Sequence, residues 1–371
     1  MKVKHTVIIM LLPILVINCA DRKQDNRLSV LTIQDFETDF NFKYIACVPN
    51  EISNLQPDSC LHLYFQDMRE KETVDFTIDQ HAVLKRSDKV LKLKEYFFET
   101  YFKTDDSIYQ LKIGTKNLVL RNRNGDILNT YNLDQNYTPI IFPPANLKYR
   151  NNIFLLGNVS STIGFGLKKD RLLYYRAVKP ILLAKIIDTT SHCLEISDFP
   201  EKYKTSGDSY NDHLPSACIG KDDNICVSFG ADDNLSLYHD STLLLRKEVK
   251  SLYIDKFNPY PDAKLFDMLY LKNYIADEPK YTNIIFDPFK NVYYRVVKHR
   301  HNSAGSASIE KTWSVIVIDT ELNVLGEMKF SGDYKYDVFI PTPIGVVTAK
   351  RNPKHPEKAI LSLIKIIKNA N

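Results

Sequence analysis

The sequence predicts an all-β fold, a β-propeller, and two observations lead to this prediction. Residues 284–294 and 316–326 contain one motif twice: an apolar run, an aspartate, three variable residues, an asparagine and a second apolar run. Weaker copies recur along the chain as short apolar runs separated by turn residues. Many short strands joined by turns are typical of a sandwich, a barrel or a propeller. A sandwich rarely contains so many hairpins, and no linker rich in Pro, Gly and Ser divides the chain into two sandwiches.

Each copy of the motif carries the residues that a hairpin turn requires. Asp287 and Asp319 can accept a hydrogen bond from the backbone two residues further on, and Pro288 fixes φ near the value needed at the second position of a type I turn. Asn291 and Asn323 tolerate the left-handed conformation that lets the chain return. The alternative is two unrelated hairpins that share common turn residues.

The N-terminal segment is typical of an export signal followed by a lipid attachment site. Lys2 and Lys4 precede an apolar run over residues 6–17 that is too short to span a bilayer as a helix. Residues 16–19, Val-Ile-Asn-Cys, resemble a bacterial lipobox, in which Cys19 receives the lipid. We therefore predict a signal peptide over residues 1–18, a polar tether over 19–27 and a propeller domain over 28–371. The alternative is an ordinary cleaved signal with an incidental cysteine.

The remaining elements follow the same rhythm of short strands and turns. Asn124 and Gly125 give the strongest short hairpin signal in the chain. Residues 262–278 place apolar side chains at helical spacing and predict a short helix that decorates the fold. The last run, 360–367, fits either a helix or a strand, and its four isoleucines favour a closing strand. Further strands are predicted at 28–33, 42–48, 61–65, 74–78, 90–93, 108–113, 118–120, 127–128, 152–157, 182–187, 193–196, 218–219, 225–229, 235–238, 243–245, 338–340 and 346–347.

The length of the domain sets the number of blades. A propeller blade uses four strands, and residues 28–371 accommodate six blades, with seven as the alternative. Residues 284–297 and 315–328 would form the inner and outer pairs of one blade. We expect the N-terminal strand to complete the last blade, because this closure removes the free sheet edges that invite aggregation.

These features together resemble one known group. The lipobox, the polar tether and the hairpins at residues 287–294 and 322–327 are similar to those of an uncharacterised family of bacterial lipoproteins, a domain of unknown function with a predicted six-bladed propeller. The resemblance implies the fold and a location in the bacterial cell envelope, at the outer membrane. It implies no catalytic residue.

Charge and cysteine content exclude some classes of function and leave others open. Lys and Arg total 49 against 45 for Asp and Glu, so we predict no nucleic-acid partner, which would need a concentrated basic face. Cys218 and Cys226 could face each other across one hairpin as a disulfide, or they could be buried free thiols. No nucleophile elbow, phosphate loop or zinc-protease motif occurs, and the sequence predicts no cofactor.

The densest histidine cluster is the candidate ligand-facing segment. His299, Arg300 and His301 form a basic group, which we interpret as an exposed loop top. On a strand, alternate histidines point to one face and could hold a metal, although no third ligand is identifiable. Residues 222–224 and 232–234 offer oxygen ligands for calcium, and turn formation is the simpler explanation.

Three functions fit this pattern. The preferred hypothesis is a non-enzymatic propeller that is held to the membrane by its lipid and binds a peptide, glycan or protein partner. The first alternative is a metal-dependent hydrolase or lactonase with its site in the central channel. The second alternative is a structural subunit of an envelope complex.

Overall fold

The chain folds into antiparallel sheets with few helices. The computed structural model describes residues 28–41, 45–48, 61–67, 72–78, 84–92, 97–104, 107–112, 117–122, 124–133, 137–139, 147–149, 153–159, 167–187, 190–210, 213–300 and 312–368. Cys19 and His301, together with the predicted signal peptide and tether, lie outside these residues. Within the part of the chain that is described, no helix is both long and apolar enough to cross a membrane.

The strands are short, and most have lengths typical of small sheets. In chain order they are β1 Leu28–Asn41, β2 Ile45–Val48, β3 Leu61–Asp67, β4 Glu72–Ile78, β5 Leu84–Lys92, β6 Phe97–Thr104, β7 Ser107–Lys112, β8 Asn117–Arg121, β9 Ile127–Asn132, β10 Tyr137–Pro139, β11 Leu147–Tyr149, β12 Ile153–Val159, β13 Ile181–Ile187, β14 Thr190–Ile196, β15 Ser216–Ile219, β16 Ile225–Ser228, β17 Asn234–His239, β18 Thr242–Glu248, β19 Lys280–Asp287, β20 Val292–Lys298, β21 Trp313–Asp319, β22 Val324–Phe330, β23 Tyr334–Pro341, β24 Val346–Arg351 and β25 Lys358–Lys368. The helices are α1 Lys168–Ala177, α2 Glu201–Ser206 and α3 Met268–Asp277.

The described strands form six antiparallel sheets, and five of them contain four strands. The orders are β2-β3-β4-β5, β6-β7-β8-β9, β15-β16-β17-β18, β19-β20-β21-β22 and β1-β25-β24-β23. The remaining sheet runs β10-β12-β13-β14, with β11 also paired to β12. Nearly every neighbour in a sheet is also the neighbour in sequence, so the all-β prediction from local hairpins is confirmed.

Five of the six described sheets contact one another through their first strands. β15 packs beside β19, β19 beside β23, β23 beside β2, and β2 beside β6. The sheet that ends the chain takes its fourth strand from the start of the chain, because β1 pairs with β25 in a register that joins Leu28 to Lys368 and Phe36 to Leu361.

Sequential antiparallel order gives each sheet two different ends. The turns between the first and second strands, and between the third and fourth, lie at one end, which we call the short-turn edge. The connections from the second to the third strand, and from each sheet to the next, lie at the other end, the long-loop edge. α1, α2 and α3 all lie in long-loop connections. β1 begins opposite the end of β25, and the chain therefore enters the domain at the short-turn edge.

The sheet β19–β22 contains the repeated motif, and its turns explain the spacing. Asp287 Oδ1 accepts hydrogen bonds from the amides of Phe289 and Lys290, at 2.9 and 3.1 Å, and Asn291 has a φ of 51°. The second copy departs from the prediction. Asp319 Oδ1 again accepts two amides, but the left-handed residue is Leu322, with a φ of 59°, and not Asn323.

Asn323 has a different role in that second turn. Its side-chain amide donates to Asp319 Oδ2 at 2.8 Å. The Leu322 side chain is fully buried in the core. Burial of an apolar side chain contributes about 1.5–3 kcal/mol, which offsets the roughly 1–2 kcal/mol cost of a left-handed residue other than glycine.

Apolar side chains pack both within and between the sheets. Every residue of β20 and β21 except the last of each strand is buried, as expected for the two central strands of a sheet covered on both faces. Trp313 stacks on Phe330 with ring centroids 4.1 Å apart. Of the α-helices, α3 lies within the predicted helical segment 262–278 and begins at Met268, whereas α1 and α2 were not predicted from the sequence.

Candidate functional site

Buried polar side chains concentrate at the long-loop edge of the sheets β15–β18 and β19–β22. The clearest is Arg295, in the middle of β20, which is fully buried. Its guanidinium donates to Ser228 Oγ at 3.0 Å and to the carbonyls of Asp233 and Val249 at 2.9 and 2.7 Å, and also to the carbonyl of Asp232. One buried cation therefore fixes both connections that flank β17 and β18.

The surroundings of Arg295 explain how the charge is tolerated. Its Cζ atom lies 3.3 Å from the centroid of the Tyr281 ring, a close cation–π contact. Burial lowers the pKa of the guanidinium, and Tyr281, Asp232 and Asp233 oppose that shift. Arginine stays charged in proteins even so. The buried carboxylate of Asp232 and the partly exposed carboxylate of Asp233 thereby lie beside a buried positive charge.

A second cation, Lys202 on α2, lies among aromatic rings at the same edge. Its ammonium is 4.8 Å from the Phe257 ring centroid, 5.3 Å from Tyr210 and 5.9 Å from Tyr203. Burial lowers the pKa of the amine, and the carboxylates of Asp232 and Asp233 oppose the shift. Within the described residues the ammonium makes no hydrogen bond and no ion pair. The amine is thus partly desolvated and near carboxylates, without being paired to one.

A chain of hydrogen bonds links Glu327 to His299. Ser251 Oγ and the amide of Leu252 donate to the Glu327 carboxylate, at 2.7 and 2.6 Å, and Ser314 Oγ also donates to it. Burial raises the pKa of Glu327, and these hydrogen bonds oppose the rise. His299 Nε2 lies 2.8 Å from Ser314 Oγ. The Ser314 hydroxyl donates its only proton to Glu327, so Ser314 Oγ accepts a hydrogen bond from His299. The proton between His299 Nε2 and Ser314 Oγ is therefore carried by Nε2.

This chain assigns a tautomer to His299 and no catalytic role. Nδ1 then accepts from Thr312 Oγ1, at 3.0 Å. The serine lies between the histidine and the carboxylate, whereas a nucleophilic triad needs the histidine in the middle. Ser314 is also fully buried and out of reach of a substrate. The arrangement ties β20 to β21 and to the β18–β19 connection.

The structure separates the members of the predicted ligand-facing segment. His299, expected on an exposed loop top, is 7% exposed, and the Tyr253 ring covers it with centroids 4.7 Å apart. Its burial follows from its partners on β21, which the local sequence does not reveal. Arg300 is half-exposed and pairs through two nitrogens with Glu278. His301 lies outside the described residues, so recognition by this segment stays a prediction.

The acidic turns behave as turn-formers. Asp222 and Asp223 both have positive φ, 55° and 60°, in the turn between β15 and β16. The Asp232 carboxylate accepts hydrogen bonds from the Arg246 guanidinium at 3.2 Å and from the Asn234 side-chain amide at 3.0 Å. Among the residues that the structure describes, no group of three or more His, Cys, Asp or Glu side chains is arranged to hold a metal ion. The hydrolase alternative stays a prediction without an identified site.

The two cysteines of the β15–β16 hairpin are directly opposite each other. Cys218 pairs with Cys226 in the strand register, and both are buried cysteines that are not joined by a disulfide. Burial raises the pKa of the Cys226 thiol to about 12. Of the two alternatives that the sequence left open, the structure therefore contains the buried thiols and not the disulfide, and the side chains pack here as small apolar groups.

The short-turn edge contains one described cavity, of about 210 Å³, near β13 and the two turns of the sheet β15–β18. Its polar walls are Lys185, Asp223, His239 and Asp240. Lys185 pairs with Asp240, and His239 Nδ1 is 3.0 Å from Asn224 Oδ1. These charges are largely satisfied by one another, so the cavity is a weaker candidate than the long-loop edge.

Sequence reasoning missed the residues at the centre of this site. Arg295 gives one usable signal, because it is a lone charge inside the apolar run Tyr293-Tyr294-Arg295-Val296-Val297 of a fully buried strand. Glu327 gives the same signal between Gly326 and Met328. Lys202 gives none, because its aromatic neighbours come from residues up to 257 in the sequence.

The sequential four-stranded antiparallel sheets, which touch through their first strands, define an all-β protein with a propeller-like fold. The chain belongs to the family described as Domain of unknown function (DUF4221), which matches residues 94–329. The crystal structure of a member of that family from Bacteroides vulgatus ATCC 8482 is similar, with a TM-score of 0.73 and 18% identity over 93% of this chain and 100% of that one.

Other solved structures are less similar. The PQQ-bound aldose sugar dehydrogenase from Streptomyces coelicolor has a TM-score of 0.47 at 10% identity, over 91% of this chain and 98% of that one. Virginiamycin B lyase from Staphylococcus aureus has a TM-score of 0.39 at 9% identity, over 91% and 99%. Both likenesses are too low to support an argument about function. No curated protein matches the sequence.

Proposed function

We propose that the chain is a six-bladed β-propeller of the bacterial cell envelope, held to the outer membrane by a lipid on Cys19, and that its long-loop edge binds a peptide, glycan or protein partner. The blade number is supported by the six described sheets. Closure of the ring is supported by the β1–β25 pairing and by the contacts that run through β15, β19, β23, β2 and β6.

The point of entry of the chain gives the proposed anchor a direction. β1 begins at the short-turn edge, and Cys19 precedes Leu28 by nine positions in the sequence, which at full extension span about 30 Å. A lipid on Cys19 would hold the short-turn edge toward the bilayer. The long-loop edge then faces away from the membrane, where a partner can reach it.

The observation that carries the binding role is the concentration of fixed polar and aromatic groups at that edge. Arg295 orders the two connections beside it with hydrogen bonds to their carbonyls. A rigid scaffold that displays ordered loops is the usual basis of recognition, because little conformational entropy is lost on binding. Lys202, Tyr210 and Phe257 are partly exposed on this ordered base.

The two edges can be tested against each other with one label. Leu252, in the β18–β19 connection, is 60% exposed, and Leu243, which follows the β17–β18 turn, is 49% exposed. Each is changed to cysteine in the full chain with Cys47, Cys60 and Cys193 replaced by serine, and is coupled to a polyethylene glycol maleimide, while Cys218 and Cys226 are buried. Binding is then measured on arrays of envelope glycans and peptides. We expect the label at position 252 to abolish binding and the label at 243 to leave it unchanged.

Equal effects of the two labels, or no ligand on any array, would contradict the binding role of the long-loop edge. The anchor is tested separately. Cys19→Ala should abolish incorporation of radioactive palmitate and move the protein from the membrane to the soluble fraction. Palmitate labelling that survives this change would refute the anchor and leave the binding role standing.

A further inference from the structure

Among the described residues, the Lys202 ammonium lies beside aromatic rings and has no ion-pair partner. The ring centroids of Phe257, Tyr210 and Tyr203 lie 4.8–5.9 Å from its Nζ atom. The cation is attracted to the faces of the rings, but the rings cannot accept its three N–H donors as oxygen atoms would. In the part of the chain that is described, the donors reach no acceptor within hydrogen-bond distance. A ligand oxygen would complete this coordination.

Two carboxylates, those of Asp232 and Asp233, act on the charge of the amine. Arg246 is paired with Asp232 at 3.2 Å, and Asp233 accepts the Tyr281 hydroxyl at 2.6 Å. Both carboxylates therefore have other partners, and neither lies within ion-pair distance of Lys202 in the described residues. Lys202 therefore has no ion-pair partner among the described residues, and a ligand carboxylate can pair with it.

The aromatic rings indicate what carries that carboxylate. Tyr210 and Phe257 are both partly exposed beside the amine. The Phe257 ring contacts the Tyr281 ring, with centroids 5.5 Å apart, and the Tyr210 ring contacts that of Tyr203, at 4.9 Å. Rings held in this way offer fixed, partly exposed apolar surface, which suits the C–H face of a pyranose ring. An aspartate or glutamate side chain of a peptide, by contrast, has no ring that could stack on these aromatic side chains.

We propose that Lys202, with Tyr210 and Phe257, forms a binding subsite for an acidic sugar, whose carboxylate pairs with the Lys202 ammonium while its ring stacks on the aromatic faces. This inference rests on the proposed binding role of the long-loop edge and specifies its ligand class. Asp233, at the rim of the same cluster, would accept hydrogen bonds from sugar hydroxyls.

The test uses the full chain in detergent and two acidic probes, a short oligogalacturonate and a sialyl oligosaccharide. The matched neutral probe is the methyl ester of the same oligogalacturonate, which keeps the sugar and removes the charge. We expect an acidic probe to bind at least about tenfold more tightly than its neutral form, as measured by calorimetry, because a charge-assisted pair is lost in the ester. Lys202→Met should abolish this difference, and Lys202→Arg should retain most of it.

Lys204→Met is the matched control, because Lys204 lies on the same helix, with its Nζ atom 3.9 Å from Asp198 Oδ1. This variant should bind as the wild type does. The urea midpoint, followed by the fluorescence of the single tryptophan, Trp313, separates lost binding from lost folding. A second readout is reductive methylation of Lys202, which the bound acidic probe should slow and the ester should not.

The outcomes distinguish this inference from the proposal on which it rests. Equal binding of acid and ester, or acid binding that survives Lys202→Met, overturns the subsite and leaves the long-loop edge as a binding surface. Lys202-dependent binding of an acetylated oligo-aspartate peptide, without binding of either sugar, overturns the assignment to a sugar. Failure of both acidic probes overturns the subsite, and only failure of the array experiment removes the binding role itself.

Discussion

The burial of His299 predicts a loss of stability in mild acid. Burial, followed by the charge of Lys329, lowers the pKa of this histidine from 6.5 to about 4. As the pH falls below about 6.5, the unfolded chain binds a proton at this position while the folded protein does not. The free energy of unfolding must therefore fall with pH between about 6.5 and about 4, and the histidine's contribution is fully present only above that window.

The magnitude follows from the two pKa values. Each unit of difference is worth about 1.4 kcal/mol. Between pH 7.5 and pH 5.0 the linkage amounts to about 2 kcal/mol, and the full difference of 2.5 units to about 3 kcal/mol. Because His299 is only 7% exposed, screening by solvent reduces this free-energy difference only slightly. The free energy of unfolding of an ordinary domain is about 5–15 kcal/mol, so a change of this size is easy to measure.

Comparison with a variant isolates this effect from other titrating groups. Asp287, Glu327 and Asp337 have pKa values raised by burial, and they contribute the opposite slope, because the folded protein binds their protons first. His299→Gln keeps a side-chain N–H that can donate to Ser314 and removes the ionisation. Urea unfolding, followed by tryptophan fluorescence, is measured for both proteins from pH 7.5 to pH 5.0.

We expect the variant to be less stable at pH 7.5 and to lose less stability than the wild type as the pH falls. The gap between the two curves should narrow by about 2 kcal/mol at pH 5.0. His355→Gln, in an exposed turn, is the matched control for the loss of a histidine. Parallel curves for the wild type and His299→Gln would show that the ring titrates alike in both states, and the argument from its burial would be wrong.

Two further predictions concern the packing of the domain, at Arg295 and at Gly345. Arg295→Met leaves several buried carbonyls without their donor and should lower the free energy of unfolding by about 3 kcal/mol or more. Arg246→Met removes a half-exposed ion pair and should lower it by less than about 1 kcal/mol. Similar urea midpoints for the two variants would contradict this prediction. Gly345→Ala would place a Cβ atom 2.1 Å from the carbonyl oxygen of Ile364, a backbone atom that cannot rotate away. A loss of about 1–3 kcal/mol is expected, and a wild-type thermal midpoint would argue against it.

The fold could be predicted because its turns are made locally. Asp287 reaches amides two and three residues away, and a sequence window of this size contains all the partners. Asp319 likewise accepts a hydrogen bond from the amide of Glu321, two residues away. Even here one detail escaped prediction, because Leu322, not Asn323, adopts the left-handed conformation. The burial of the Leu322 side chain, a tertiary contact, decides that choice.

The site could not be predicted in the same way, because its contacts join distant parts of the chain. Ser251 reaches Glu327 across 76 positions, and Arg295 reaches the Asp233 carbonyl across 62. The polar run that contains His299 suggests exposure when it is read alone. Its hydrogen-bond partners are Ser314, on the neighbouring strand β21, and Thr312, directly before that strand, and only the fold brings them beside it.

The two edges therefore depend on the assembled domain to different degrees. Turns at the short-turn edge can form within isolated hairpins, since their hydrogen bonds close over a few residues. The long-loop edge acquires its shape only when neighbouring sheets dock, because Arg295 of one sheet holds the connections of the sheet before it. A ligand bound there contacts groups that are in place only in the docked state. Its binding free energy must then add to the cohesion between the sheets, and saturation with ligand should protect the whole domain and not the loops alone.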